Sequence, residues 1–309
     1  MVVVSLIAIL CSLPKLKQKN ISMNHTQRIA SVSQLSSHVK IETIPLIIMT
    51  FNIQFYRTSR STNPIAKFIL AHHPDVVCLQ ENIDANGWSS SKLTPLDLTS
   101  DYTFAAECQA EKFHGHYLAN TIYVLRKHMK YVEKLSAVNL TILTETVRCA
   151  AVLRLYGTVI ANVHLCGGRF DDKQFWNFKE LKYLQLKRLV QQYHPDIILG
   201  DFNNEQSKSV AKKQLDIYEF YKNLNSSDRL LFEHYYTAGS VYLQDQTKYS
   251  PAYNEATIGA TSIYGGTPDW VYVTYPSRLT GKVGKYDTIT TNLSDHNALF
   301  IEYLFDKIN

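Results

Sequence analysis

The sequence predicts an α/β fold in a single domain, because short apolar runs of strand length alternate with longer amphipathic segments from residue 44 onward. The chain has 309 residues, of which 45% are hydrophobic and 12% aromatic, so it can bury a large core. This composition excludes disordered, collagen-like and low-complexity proteins. After residue 44 the pattern contains no internal repeat and no linker, which favours one domain.

Short residue patterns predict the individual strands and helices in order along the chain. Continuous apolar runs predict strands at residues 44–53, 76–79, 121–125, 149–155, 159–164, 197–199, 270–273 and 298–303. Pro64 lies in the first turn of a predicted helix that starts at Asn63. The clearest helix is predicted over residues 175–193, with Asp171 or Asp172 as its N-cap. Its basic side chains are expected to form a solvated face, comprising Lys179, Lys182, Lys187 and Arg188.

Residues 1–43 are predicted to form an apolar leader and a polar linker, separate from a folded domain at 44–309. Residues 1–13 contain no charged side chain, but this run is too short to span a bilayer. It is similar to the apolar centre of a signal peptide, yet it lacks preceding positive charges and a small-residue cleavage site. An intracellular protein, cytoplasmic or nuclear, is favoured, and secretion or anchoring through residues 2–13 is the alternative.

Cysteine use and net charge indicate which cellular compartment and which binding partners to expect. The five cysteines do not form the pattern of a disulfide scaffold, and Cys78, Cys149 and Cys166 lie in or beside apolar strand-like segments. We therefore expect small buried thiols in a reducing compartment. The formal net charge of +5 permits a polyanionic substrate but does not require one.

Polar side chains stand at or just beyond the ends of several predicted strands, where they can share one pocket at a sheet edge. Carboxylate and amide oxygens without a thiolate cluster suit Mg²⁺ or Mn²⁺ rather than Zn²⁺. Histidines suit proton transfer near neutral pH. The set therefore predicts metal-assisted phosphoryl chemistry, and it consists of Asn52, Glu81, His164, Asp201, Asn203, Asp269, Asp295 and His296.

The motifs that carry these residues run in the order of a known family. They are TFNI at 50–53, LQE at 79–81, NVHL at 162–165, GDFN at 200–203, PDWV at 268–271 and SDH at 294–296, with Arg148 in the strand before the histidine motif. From residue 44 to about residue 303 the chain resembles the endonuclease/exonuclease/phosphatase superfamily, the fold of DNase I and the abasic-site endonucleases. The resemblance implies a four-layer α/β/β/α sandwich of two packed mixed sheets flanked by helices.

The resemblance also implies roles at a metal and phosphate site. Glu81 would be the main metal ligand, Asn52 would help to hold the water network of the metal site, and Asp295 would add a carboxylate. His296 would contact the scissile phosphate in an orientation set by Asp269. In-line attack places negative charge on the phosphoryl oxygens, which a metal at Glu81 would stabilise together with His164 and His296 in their protonated forms.

The remaining implied roles concern the attacking water and the leaving group. Asp201 and Asn203 would position or deprotonate the water, and His164 would act as the acid for the leaving oxygen. Arg148 would bind a phosphate oxygen. Two further substrate contacts are Asn120, which precedes a predicted strand, and Arg169, in a glycine-containing turn after the histidine motif.

These residues predict a Mg²⁺-dependent phosphodiester hydrolase, with nucleic acid as the leading substrate and a monomer without an obligate protein partner as the leading state. A different phosphoester is the first alternative, either a lipid headgroup as in sphingomyelinases or a tyrosyl–DNA adduct. A non-catalytic binding protein on the same fold is an alternative of another class. Tyr253 and Tyr264 lie in a long stretch that is expected to face the substrate.

Overall fold

The computed structural model describes residues 42–56, 61–83, 96–98, 100–113, 116–142, 147–167, 180–204, 220–253, 259–274 and 282–307. These residues fall within one unit, Ile41–Asn309. None of the helices in these ranges has the length and apolarity that a membrane span requires.

Most of the described elements are strands, and three α-helices lie among them. In order they are β1 (Glu42–Asn52), α1 (Thr62–His72), β2 (Val76–Ile83), β3 (Tyr102–Phe113), β4 (His116–Leu125), β5 (Val132–Lys134), β6 (Val138–Asn139), β7 (Cys149–Leu155), β8 (Thr158–His164), α2 (Leu181–Tyr193), β9 (Ile197–Asp201), α3 (Ser226–Asp245), β10 (Tyr249–Pro251), β11 (Asp269–Thr274), β12 (Val283–Ile289) and β13 (Ala298–Lys307). Two 3₁₀ turns, Gln54–Tyr56 and Arg126–Tyr131, follow β1 and β4.

The strands form two mixed sheets. The first has the order β12-β13-β1-β2-β4-β3, and the second has the order β10-β11-β9-β8-β7-β5, with β6 also paired to β7. In each sheet one central pair is parallel, β1 with β2 and β8 with β9, whereas their other neighbours are antiparallel. The carboxyl ends of β1, β2, β8 and β9 therefore lie level with the amino ends of β11 and β13.

Side-chain alternation along the strands builds the layers. In β1, Ile48 belongs to the core between the sheets, whereas Met49 and Phe51 pack with Ile65 and Ile69 of α1 on the outer face. On the second sheet, apolar residues of α2 and α3 join the large core cluster, among them Leu186, Leu189 and Leu243. Two sheets packed face to face and covered by helices confirm the predicted α/β/β/α sandwich.

The start of α2 differs from the prediction. The helix begins at Leu181 with Glu180 at its N-cap position, and the predicted caps Asp171 and Asp172 lie outside the described residues. Residues 168–179, which include Lys179 and Arg169, lie outside the described part of the chain. The expected solvated face is also wrong at Lys182, whose side chain is fully buried.

A disulfide corrects the prediction of free thiols. Cys108 on β3 is bonded to Cys149 on β7, with the two Cα atoms 6.0 Å apart. The bond joins the first sheet to the second, and this pairing of residues 41 positions apart was not visible in the cysteine spacing. Cys78 and Cys166 are buried free thiols, as expected.

Candidate active site

Strand register brings the predicted polar residues together at one edge of the sandwich. His164 at the end of β8 is the register partner of Asp201 at the end of β9, and Asp201 is the partner of Asp269 at the start of β11. An isolated bridge between Ser262 and His296 brings the last motif to the same edge. The predicted convergence of polar side chains from several strand ends at one edge is therefore present.

A bulge turns Glu81 toward this edge. The register between β2 and β4 shifts between Leu79 and Asn82, and Glu81 has a φ of 53°. A bulge with a left-handed residue re-aims a side chain that regular pleating would place on the opposite face. Such strained positions cluster at functional sites in proteins.

Asn52 makes hydrogen bonds to several other residues of the site. Its Nδ2 atom donates to Asp201 Oδ2 at 2.9 Å and lies 3.2 Å from Glu81 Oε1. Its Oδ1 atom accepts from the backbone N–H of Gln54 at 3.0 Å, and its carbonyl oxygen accepts from the hydroxyl of Ser294 at 2.7 Å. One amide therefore holds carboxylates from both sheets in fixed positions.

The pair of His296 and Asp269 forms a second group. The Nδ1 atom of His296 lies 2.8 Å from Asp269 Oδ2, and its Nε2 atom lies 3.8 Å from Asp201 Oδ2 and 3.9 Å from Asp295 Oδ1. Burial disfavours the charged imidazole, but the carboxylates of Asp269 and Asp201 outweigh it and raise the pKa of His296 well above its ordinary value. His296 is therefore a cation at pH 7.

His164 has the opposite electrostatic character. Its Nε2 atom lies 3.6 Å from Asp201 Oδ2 and 3.9 Å from Glu81 Oε1. Burial, together with the nearby charge of Arg148, lowers the pKa of His164 to about 3 despite the attraction of Asp201. These surroundings hold its imidazole neutral at pH 7, so protonation of both site histidines, which the sequence suggested, is not observed.

Asp201 is the most interconnected carboxylate. Burial would raise the pKa of Asp201, but the charged imidazole of His296 and hydrogen bonds from Asn52 and Asn203 lower it. The backbone N–H of Asn203 donates to Asp201 Oδ1 at 2.7 Å. The carboxylate is therefore ionised and available as an acceptor.

The carboxylates at this edge fit a hard divalent cation. Burial raises the pKa of Glu81 to about 7, and the neighbouring charges of Asp201 and Asp295 act in the same direction. A buried carboxylate beside two others favours a cation that neutralises them, and oxygen donors are the ligands of Mg²⁺ and Mn²⁺. Asp295 is held in place by Gln54, whose Nε2 donates to Asp295 Oδ2 at 2.8 Å. The donor set predicted from the sequence is thus compatible with such an ion.

A second group of potential ligand atoms overlaps the first. Asp201, Asp269 and His296 each offer one ligand atom, and these atoms lie within 4.8 Å of one another. However, the Nδ1 atom of His296 is already bonded to Asp269, and a protonated imidazole has no free lone pair.

Asn203 is held in a tight loop. Its φ is 47°, and its Nδ2 atom donates to the carbonyl oxygen of Leu165 at 3.1 Å. Gly167 packs directly beneath this side chain, since a Cβ at residue 167 would lie 2.6 Å from Asn203 Oδ1. A glycine is therefore required at residue 167 for the amide to reach its position.

Comparison with known families decides the assignment. The family model "Endonuclease/Exonuclease/phosphatase family" matches residues 49–296, which contain every motif described above. The chain belongs to this family. It is accordingly a phosphoric ester hydrolase. No curated protein sequence gives a significant match.

Solved structures of the same fold agree with this assignment. An AP endonuclease from Archaeoglobus fulgidus is 14% identical, with a TM-score of 0.58 over 84% of this chain and 99% of the other. An AP endonuclease from Leishmania major is 15% identical, with a TM-score of 0.56 over 84% and 87% of the two chains. TDP2 from Caenorhabditis elegans is 16% identical, with a TM-score of 0.52 over 90% and 80%. At these identities the likeness establishes the fold.

The structure of this member of the endonuclease/exonuclease/phosphatase family places two of the predicted substrate contacts in different surroundings. Arg148 is buried, and its charge lowers the pKa of His164. Asn120 lies inside β4 rather than before a strand, and its Nδ2 donates to the carbonyl oxygen of Cys149 at 2.8 Å. Asn120 therefore supports the contact between the sheets, which corrects its prediction as a substrate contact. Arg169 lies outside the described residues.

The two tyrosines of the long stretch also differ. Tyr253 is buried and stacks on Trp270, so it is a core residue rather than a substrate-facing one. Tyr264 is 56% exposed, and its neighbour Ile263 donates its backbone N–H to Asp295 O.

Sequence reasoning missed three supporting residues of the endonuclease/exonuclease/phosphatase site. They are Gln54, Lys182 and Gln185. Gln185 accepts from the backbone N–H of Cys166 at 3.1 Å and so holds the loop after β8. Lys182, Gln185 and Leu189 follow helical spacing with the apolar stripe of α2, and this periodicity could have placed them on the buried face.

Proposed function

We propose that the chain is a Mg²⁺- or Mn²⁺-dependent phosphodiesterase that hydrolyses nucleic acid by in-line attack of an activated water. The arrangement that carries this proposal is the bonding of Asn52 to both Asp201 and Glu81, beside the cationic His296. In this proposal Asp201 is the ionised acceptor, Glu81 is the metal-binding carboxylate and His296 is the phosphate-binding cation. This combination matches what in-line hydrolysis of a phosphoester requires.

Each residue of the chain has a defined task in this proposal. Asp201 accepts a hydrogen bond or a proton from the attacking water, and Asn203 orients that water through its amide. His296 donates from Nε2 to a non-bridging phosphate oxygen, because Asp269 holds its Nδ1 side. Arg148 supplies a further positive charge near the phosphate.

The leaving group and the metal complete the scheme. The predicted role of His164 as the acid for the leaving oxygen stays a prediction, and its neutral imidazole can contribute an N–H hydrogen bond. Glu81 and Asp295, with Asn52 beside them, would hold Mg²⁺ or Mn²⁺. The bound ion would supply charge stabilisation to the phosphoryl oxygens.

Nucleic acid is the substrate class that we favour. Two of the similar structures are AP endonucleases, and the net charge of +5 suits a polyanion. We also propose that the protein acts as a monomer without an obligate protein partner.

Plasmid nicking tests the proposal. The full chain is incubated with supercoiled plasmid in Mg²⁺ or in EDTA, beside Glu81→Gln and His296→Ala variants. We expect nicking that needs the metal and falls by about 10²–10³-fold in each variant. Matched controls are Glu133→Gln on β5 and His72→Ala on α1, two residues outside the site that should leave nicking unchanged.

Other outcomes separate the alternatives. Intact plasmid with hydrolysis of bis-p-nitrophenyl phosphate would retain the phosphodiesterase chemistry and reject nucleic acid, so that lipid headgroup and tyrosyl–DNA substrates would be assayed next. Nicking that is equal in Glu81→Gln and wild type would reject the assigned site.

A further inference from the structure

A buried lysine contacts the loop that carries Asn203. Lys182 of α2 is fully buried, and its Nζ atom donates to the backbone carbonyl oxygen of Asn203. The same atom lies 4.2 Å from the centre of the Tyr235 ring and 4.9 Å from the centre of the Tyr236 ring. Two aromatic faces and a carbonyl oxygen are suitable partners for an ammonium group that has lost its water.

The loop held by Lys182 is part of the candidate site. This loop, residues 201–204, is called the β9 loop below. Within it, the N–H of Asn203 donates to Asp201 Oδ1, and Asn203 adopts a left-handed backbone conformation. Asparagine adopts the left-handed conformation more readily than other residues with a Cβ, and a hydrogen bond to its carbonyl group from outside the loop restricts the backbone to that conformation. The Lys182 contact acts on the carbonyl group of that same residue.

Tyr235 connects the lysine to the neighbouring loop. Its ring faces Lys182, while its hydroxyl donates to the carbonyl oxygen of Cys166 at 3.1 Å and also to that of Gly167. Gly167 is the residue on which the Asn203 side chain packs. Lys182 and Tyr235 thus hold Asn203 from its backbone and from beneath its side chain.

We propose that Lys182 is a positioning residue for catalysis, whose buried ammonium group, enclosed by Tyr235 and Tyr236, holds the β9 loop so that Asn203 points at the attacking water. The inference rests on the proposed function for the role of Asn203. It adds a cation from the outer helical layer, which lies in none of the sequence motifs of the site. A methionine at residue 182 would fill a similar volume but could not donate to the carbonyl oxygen.

The test compares two lysines of one helix. Lys187 lies five residues further along α2, and its Nζ donates to the hydroxyl of Tyr183 at 3.2 Å. Lys182→Met, Lys182→Arg and the control Lys187→Met are measured as full chains on bis-p-nitrophenyl phosphate. Deuterium uptake is followed in the peptide that contains the β9 loop.

We expect Lys182→Met to lower kcat by about 10–100-fold while KM changes by less than about 3-fold, because the loop is displaced while the phosphate ligands remain. Deuterium uptake in the β9 loop should accelerate in this variant and remain unchanged in Lys187→Met. Lys182→Arg, which keeps a donor and a positive charge, should recover most of the lost kcat. If Lys182→Met does not unfold cooperatively, Lys182→Gln replaces it in the same comparison.

Two results would overturn the inference. In the first, Lys182→Met and Lys187→Met have equal kcat and equal uptake in the β9 loop. In the second, KM rises and kcat does not fall, which would assign Lys182 to substrate binding. If the wild-type chain hydrolyses no phosphodiester, the proposed function fails, and uptake in the β9 loop alone then decides whether Lys182 positions Asn203.

Discussion

The amide of Asn52 donates to the carboxylate of Asp201 at 2.9 Å, although the two residues lie on different sheets and 149 positions apart in the chain. This bond connects the end of β1 with the end of β9 across the interface between the sheets. The geometry of the site therefore depends on how the two sheets pack. Each sheet alone presents half of the polar groups, and packing places them within hydrogen-bonding distance.

Glu81→Gln should stabilise the chain in the absence of metal. Burial raises the pKa of Glu81 from 4.5 to about 7, so the charged form opposes folding. This opposition is absent below pH 4.5, grows as pH rises, and is complete above about pH 7. Since one-fifth of the side chain still reaches solvent, we expect Glu81→Gln to raise the free energy of unfolding by about 1–2 kcal/mol at pH 8.

Thermal melts in EDTA at pH 5 and pH 8 measure this effect, with Glu133→Gln as the control. Adding Mg²⁺ should reverse the order of the two melting temperatures, because the wild type binds the ion through Glu81 and the variant lacks this carboxylate. If Glu81→Gln melts below the wild type at pH 8 in EDTA, the prediction is contradicted, because the charge of Glu81 would then not oppose folding in the absence of metal.

Asp75 should stabilise the fold far from the site. Its Oδ2 accepts from the N–H of Ile47 at 3.0 Å, and its Oδ1 lies 2.9 Å from His128 Nε2 and 3.0 Å from Lys127 Nζ. Despite the opposing effect of burial, these hydrogen bonds lower the pKa of Asp75 to about 2. The stabilisation is therefore complete above about pH 4 and is lost as pH falls through 2.

Asp75→Asn should lower the free energy of unfolding at pH 7 by about 2 kcal/mol. Urea denaturation measures the change, and Asp101→Asn is the control, because Asp101 is exposed and lies 3.7 Å from His73. The difference between Asp75→Asn and the wild type should shrink below pH 3. A difference that is constant from pH 7 to pH 2 would show that the charge of Asp75 is not responsible.

The Cys108–Cys149 disulfide should be detectable by peptide mapping under non-reducing conditions. It closes a separation of 41 residues, so its removal by Cys108→Ser with Cys149→Ser should destabilise the chain by about 4 kcal/mol in the chain-entropy model. Urea denaturation with and without reductant measures this. Reductant should not change the stability of the double variant. Thiol alkylation of Cys108 or Cys149 in the unreduced, unfolded chain would contradict the pairing.

The disulfide also bears on localisation. Disulfides persist in oxidising compartments, whereas the cysteine spacing had favoured a reducing one. The pairing could not be predicted, because Cys108 and Cys149 meet only where β3 of one sheet crosses β7 of the other. Fractionation of cells under thiol-blocking conditions would show in which compartment the bonded form accumulates.

Much of the site was predictable, because residues at the ends of neighbouring strands lie along the same edge of a sheet. Asn52, Glu81, His164, Asp201 and Asp269 each follow or begin an apolar run, and register within each sheet together with packing between the sheets brings them together. The burial of Asn120 was not predictable from its local context, because its polar side chain is buried by the second sheet, whereas the helical period of α2 could have indicated the burial of Lys182 but not its contact with Asn203. The burial of Asn120 and the contact of Lys182 both depend on residues distant in sequence.

By itself, the sequence determined the fold class, the order of the motifs and the oxygen-rich chemistry of the site. These properties follow from local periodicity and from the residue type at each strand end. Only the tertiary structure decided that His296 is charged and His164 neutral, that Cys108 bonds Cys149, and that Lys182 contacts Asn203. The reason is physical: protonation and burial depend on the charges and the solvent around a group, and these are set by segments far apart in the chain.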